Sequence, residues 1–195
     1  MKNIIRSIRI TLTFCIFFTL CYVLILWLIA RFATPNKGEA ETIYSKSQQI
    51  GMTNAGQFFN KNIYFWGRPS HAGYGYDGTS SGGSNKGATD KAYLKEIKQH
   101  IDSFLVYHPY LTRKDIPAEL VTSSGSGLDP NISPEAAFVQ VRRVAQARGL
   151  SETYIYSIVK HAIEQPLFGF LGPQKVNIVR LNMAIDEAQK NASPY

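Results

Sequence analysis

The chain has 195 residues, 21 basic against 14 acidic side chains, a net charge of +7 and 45% hydrophobic residues. That length accommodates one ordinary domain with an added segment, and the composition excludes collagen-like, low-complexity and wholly disordered chains. Two cysteines exclude a disulfide scaffold.

The first predicted element is a membrane span. No charged residue occurs from Ile10 to Ala30, a run that as a helix rises about 30 Å, the hydrocarbon thickness of a bilayer. Lys2, Arg6 and Arg9 precede it and Arg31 follows, while Trp27 suits the headgroup boundary. A cleaved signal peptide has a shorter apolar core and a small-residue cleavage site; Trp27-Leu28-Ile29-Ala30-Arg31-Phe32 offers none. Neither Cys15 nor Cys21 follows the small residue that a lipoprotein anchor requires. The reading is therefore an uncleaved transmembrane helix over residues 10–31, in contact with the lipid bilayer. The basic stub, residues 1–9, holds no acid, so the positive-inside rule puts it in the cytoplasm and the rest of the chain outside.

Four of the 21 basic residues and none of the acids fall in residues 1–31, so the remainder carries 17 against 14, a net of +3. That is no electrostatic footprint for nucleic acid. Both cysteines lie in the span, so the exported part folds without disulfides. Thr11, Cys15, Thr19 and Tyr22 recur at spacings of four, four and three along one helix face. Such a stripe either packs on another membrane protein or holds hydroxyls tolerated by bonding their own backbone; the sequence leaves both open.

Residues 32–56 read as a linker and lead-in, and residues 57–195 as an extracytoplasmic soluble domain. Gln57-Phe58-Phe59 and Ile63-Tyr64-Phe65-Trp66 are strand-like patches around a polar Asn60-Lys61-Asn62 turn. Residues 67–88 form a long Gly/Ser/Tyr loop of the kind that carries binding surfaces. A helix follows Asp90 as N-cap, with Leu94, Ile97, Ile101, Phe104 and Leu105 on one face, and ends before Pro109. Glu119-Leu120-Val121-Thr122 reads as a short strand and 123–129 as a Gly/Ser turn. Ser133, Pro134 and Gly149 punctuate the next helix, with Phe138, Val141, Val144 and Ala145 inward. Ser151 caps a third helix running to Glu164. Asn177 caps the last, with Ile178, Leu181, Ile185 and Ala188 on one face. Helices with a few short strands make the class α+β. Arg142, Arg143 and Arg148 read as a solvated helix face rather than a patch for a partner or lipid.

No autonomous cofactor or metal site emerges. Gly73, Gly75 and Gly78 fit G-x-G-x-x-G, but without the strand and helix that a dinucleotide fold supplies. Ser81 to Lys86 lacks phosphate-loop spacing and reads as a surface turn. Ser157 and Lys160 match S-x-x-K without its companion motifs, and Ser124-Gly125-Ser126-Gly127 lacks the first glycine of a nucleophile elbow. His71, His100, His108 and His161 have no metal-binding companions in sequence.

Longer motifs do carry a resemblance. They are Tyr64-Phe65-Trp66-Gly67-Arg68-Pro69-Ser70, Ser81-Gly82-Gly83-Ser84-Asn85 and the run from Glu119 to Pro134. Gln140 to Ala145, Ala147 to Leu150, Val176 to Val179 and Leu181 to Asp186 extend them. In this order they resemble the C subunit of the bacterial Kdp potassium-transporting ATPase, over nearly the whole chain. Ser123 stands where Ala is usual there, Asn131 where His is usual, and residues 88–90 replace a proline-containing stretch.

The resemblance implies a high-affinity, ATP-driven potassium uptake complex in a bacterial plasma membrane. Its partners would be an ATP-hydrolysing P-type subunit and a channel-like, potassium-selecting subunit. This chain would be a non-catalytic subunit needed for assembly and activity. The family is described as a catalytic chaperone that raises ATP affinity through a ternary complex. ATP is cytoplasmic, though, and the domain bearing Gly125 and Gly127 is expected outside. The Gly/Ser turn also lacks the Lys and metal-binding acid of a nucleotide site. External docking therefore explains the chain better than direct ATP contact, with ATP and K+ belonging to the complex. The partner-contact candidates are Thr11, Cys15, Thr19 and Tyr22 in the span, and Arg68, Ser84, Asn85, Ser124, Gly125, Ser126, Gly127 and Asp129 outside it. For Gly67-Arg68-Pro69-Ser70 a structural turn pinning Arg68 to a local carboxylate is favoured over a docking loop. The rival functions are an anchored binding or sensor module, resting on the Tyr74–Tyr76 loop, and an anchored serine hydrolase, resting on Ser126, Ser157 and Lys160.

Overall fold

The computed structural model describes residues 2–45 and 48–192; the last three residues of the expected external domain lie outside that range. The chain divides into two compact units, residues 1–41 and 42–195.

The first unit is an apolar helix, Lys2–Ala33, long enough to cross a membrane and with none of its side chains buried in the protein. It comprises α1 (Lys2–Phe17), a π-helical turn (Phe18–Tyr22) and α2 (Val23–Ala33). A π turn closes i→i+5 bonds, so it shifts the register by about one residue, or ~100° of rotation. Thr11 and Cys15 share a face ahead of it, whereas Thr19 and Tyr22 lie within it. A face continued at strict α-helical spacing is therefore interrupted there. Thr13 donates to the Arg9 carbonyl at 2.8 Å, so its hydroxyl is satisfied within its own helix. The helix ends at Thr34, and a 3-10 turn, Pro35–Gly38, follows.

The second unit opens with an antiparallel pair, β1 (Thr42–Ser45) and β2 (Gln48–Met52). Its main body is helical: α3 (Lys91–Tyr107), α4 (Pro134–Phe138), α5 (Val141–Arg148), α6 (Glu152–His161) and α7 (Ile178–Ala192). These surround a small antiparallel sheet made of β3 (Asn131–Ile132), β4 (Ile163–Glu164) and β5 (Lys175–Asn177), with β5 central. The observed class is α+β. The core joins Phe65, Phe104, Leu120, Val144, Ile155, Val159, Val176, Leu181 and Ile185. Helix signals were accurate where side chains close the caps: Asp90 accepts from Tyr93 N, Ser133 from Ala136 N, Ser151 from Tyr154 N and Asn177 from Arg180 N.

Several sequence expectations are corrected. Residues 134–148 form two helices, because Gln140 turns its amide onto the Ala136 carbonyl (3.0 Å) while its own N–H shifts to Ala137 O. The third helix stops at His161, since Ile163 and Glu164 leave it to pair with Val176 and Lys175. The expected strand at 119–122 is instead a 3-10 turn, Ala118–Leu120, followed by a bend; Glu119 uses its carboxylate to accept from Ser133 N at 2.9 Å.

The patches at 57–59 and 63–66 are not strands either. Residues 62–66 are clamped by side chains instead of a ladder. Phe65 donates its N–H to Asn182 Oδ1 (2.8 Å), and Asn182 Nδ2 donates back to Phe65 O (3.0 Å). Gln140 does the same for Trp66, at 2.8 and 3.1 Å. Two amides from α7 and the α4–α5 junction thus take the place of a neighbouring strand.

Arg143 and Arg148, expected on a solvated face, are buried. Arg143 donates to Asn62 O, Tyr64 O, Gln140 Oε1 and His108 Nε2 and lies 4.0 Å over the Trp66 ring. Burial pushes its guanidinium down to about 10, still charged at neutral pH. Arg148 donates to Ile63 O, Gln189 and Asp186. Only Arg142 is exposed as expected.

Candidate functional site

The long loop after Trp66 and the Gly/Ser turn at 123–129 are joined along their length. Ser70 Oγ donates to Gly127 O at 2.6 Å and accepts from Tyr76 N at 2.8 Å. Gly82 N and Ser81 Oγ both donate to Ser126 O. Gly127 N donates to Ser124 Oγ at 2.8 Å. Gly127 sits at φ +67, and a Cβ there would lie 2.7 Å from Ala72 N and from Gly82 O. The glycine is thus demanded by both backbone angle and close approach.

Arg68 bridges the same two segments. It donates to Ser123 O at 3.1 Å and pairs with Asp129 at 3.4 Å. The sequence argument expected a carboxylate local to the turn; the one that pairs with Arg68 comes from the facing loop, 61 positions away. Its Nε is buried without a hydrogen-bond partner. Tyr76 closes the turn by donating to Arg68 O at 2.7 Å. Burial, and then the Asp129 carboxylate, pushes the Tyr76 phenol up to about 12, so it remains a donor. Asp129 also accepts from Asn131 N at 3.0 Å. Among the sequence candidates, Arg68, Ser124, Gly125, Ser126, Gly127 and Asp129 therefore come together. Ser84 and Asn85 lie on the following segment, outside these bonds. Thr11, Cys15, Thr19 and Tyr22 belong to the other unit.

Beside the joined loops lies a cavity of about 470 Å³. Phe58, Trp66, Tyr74 and Tyr107 supply aromatic walls, and Arg68, His71, Glu96 and His100 supply the polar groups. His71 reaches Glu96 through Nε2 (3.2 Å) and Ser123 Oγ through Nδ1 (2.6 Å). His100 donates Nδ1–H to Val121 O at 3.1 Å and turns Nε2 toward the same carboxylate, 3.9 Å away. A serine, an imidazole and a carboxylate are thus in series. What they connect is α3 to the two joined loops.

Sequence reasoning missed this cluster because its members are separated by up to 52 positions and match no short motif. The serines first considered as nucleophiles are placed otherwise. Ser126 Oγ accepts from Leu128 N, and Ser157 donates to Tyr154 O within α6. No group of three or more His, Cys, Asp or Glu side chains among the described residues is arranged to hold a metal ion.

Comparison with known proteins adds the family. The profile of KdpC, described as "K+-transporting ATPase, c chain", matches residues 4–187. A potassium-transporting ATPase KdpC subunit of Phocaeicola vulgatus is 56% identical over 97% of this chain and 100% of its own length. The protein of that name from Bacteroides thetaiotaomicron is 57% identical over 96% of this chain and 99% of its own. One from Caldanaerobacter subterraneus is 38% identical, covering 97% of each.

Proposed function

Because the chain belongs to the KdpC family, the c chain of the K+-transporting ATPase, we propose that it serves its potassium-uptake complex as a non-catalytic assembly subunit. The transported ion is K+. The chain is anchored in a bacterial plasma membrane by one helix, with the N-terminus cytoplasmic and residues 42–192 outside. Its partners are the ATP-hydrolysing P-type subunit and the channel-like potassium-binding subunit.

One observation carries the non-catalytic reading. The Gly/Ser turn, where a nucleotide cradle would have to lie, spends the Ser126 and Gly127 carbonyls on the opposite loop and the Ser124 and Ser126 hydroxyls on its own backbone. Its acid, Asp129, is engaged by Arg68 and Asn131. A rise in ATP affinity is then an effect on the P-type subunit, transmitted by holding the complex in a competent arrangement. ATP binds the complex and not this domain.

The test is recovery of a C-terminally tagged copy from membranes of potassium-starved cells in mild detergent. A P-type ATPase and a channel-like protein should accompany it at fixed ratio, with potassium-stimulated ATP hydrolysis. Recovery of the chain alone, from cells that make those proteins, would overturn the reading.

A further inference from the structure

The connection between β4 and β5 presents apolar side chains outward. Leu167, Phe168, Phe170 and Leu171 are 63%, 78%, 75% and 51% exposed, and no charged residue occurs from Pro166 to Pro173. The segment is nonetheless ordered. Leu167 and Leu171 exchange backbone hydrogen bonds of 3.1 and 2.9 Å, and Gly169 N donates to Pro166 O. At its tip Phe168 adopts φ +55, ahead of Gly169 at +81. A bulky residue in left-handed backbone is uncommon and strained. The turn holds a Phe outward in a set shape, which solvent does not reward.

We propose that this turn is a docking element that inserts into an apolar cleft on the extracytoplasmic face of a membrane-embedded protein subunit of the same complex. The proposal rests on the subunit reading above and names the surface it uses.

Three features select that occupant. The nearby cations do little to favour a lipid surface: Lys175 and Arg180 share Glu164, at 3.4 and 3.5 Å, which leaves an excess of one positive charge, well short of a polybasic patch for anionic headgroups. The turn also lacks the Trp and Tyr anchors typical of the membrane interface. A second copy is disfavoured by area. The four side chains offer on the order of 500 Å², below the roughly 800 Å² per partner that a free-standing interface needs. A partner that also binds other parts of this chain needs less from the turn, because those contacts raise the effective concentration, whereas a second copy meeting the turn alone has no such help. The loops first considered for docking are bonded to each other, whereas this turn leaves its side chains unspent.

The test compares the tagged full chain with a Phe168→Asn, Phe170→Ser variant, both recovered from native membranes. Asn tolerates left-handed backbone, so the turn persists while both rings are lost. Recovery of partner subunits should fall roughly tenfold or more at an unchanged melting temperature of the chain. Wild-type recovery without partners would sink the subunit reading. Wild-type recovery with partners, equalled by the variant, would sink the turn alone.

A photo-crosslinking phenylalanine analogue at position 168 in the intact complex decides the occupant, should the variant misfold. Adducts to a membrane subunit of the complex, absent with the analogue at exposed Val106, are expected. Adducts only to lipid, only to a second copy, or none would overturn the proposal.

Discussion

His108 shows how one buried side chain governs a region. It is fully enclosed, stacked on Phe104 at 3.8 Å between ring centres, and donates Nδ1–H to the Phe104 carbonyl at 2.8 Å. Its Nε2 must stay unprotonated to accept from Arg143 Nε at 2.9 Å. Burial pushes the imidazole down to about 4, and the Arg143 charge adds to that effect. The unfolded chain takes up this proton near pH 6.5. Between those values the unfolded state binds more protons, so stability rises with pH. The contribution is complete above about pH 6.5 and is lost as pH falls toward 4, for a total of about 3 kcal/mol. Denaturation of the detergent-solubilised chain at several pH values should show this slope, and His108→Gln should flatten it. An equal slope in both proteins would refute the assignment.

At the scale of elements, the molecule substitutes side chains for secondary structure. Residues 62–66 are held by Arg143 and Arg148 from α5, Asn182 from α7 and Gln140 from the α4–α5 junction. The joined loops depend instead on backbone approach, and the glycines differ sharply in what they carry. Gly127→Ala meets a positive φ and backbone atoms at 2.7 Å, and should cost ~2–4 kcal/mol. Gly125→Ala meets open space at an ordinary φ, and should stay within about 0.5 kcal/mol of wild type. Thermal melts, with limited proteolysis of residues 67–90, distinguish the two. Equal tolerance of both substitutions would mean that the loops are not held together as described.

At the scale of the whole molecule, the buried hydrophobic core among the described residues begins at Ile43. The second unit therefore has a core of its own. Replacing residues 1–33 by a cleavable export signal should leave the domain folded, with an unchanged cooperative melt. Co-recovery of partner subunits should collapse, because tethering no longer supplies an effective concentration in the millimolar range. A domain that fails to fold would contradict the independence of the two units. Undiminished recovery would show that external contacts suffice by themselves.

The residue order alone determined the apolar helix, the helix caps, the α+β class and the family resemblance. Each rests on local physics or contiguous motifs: an uncharged run, a cap within three residues of its N–H, a stripe at helical spacing. Arg68 was also legible as a turn pinned to a carboxylate, although Asp129 lies 61 positions away. Only the tertiary structure decided the rest. The aromatic run at 63–66 has the composition of a strand, yet its hydrogen bonds go to amides 74 and 117 positions distant. Arg143 and Arg148 look solvated in sequence, but carbonyls of that same segment give them enough acceptors to be buried. The His71–Glu96–His100 cluster and the outward turn at Phe168 are likewise products of folding. Which groups meet across the chain, and which are left with nothing to cover them, is settled by packing and is written in no local pattern.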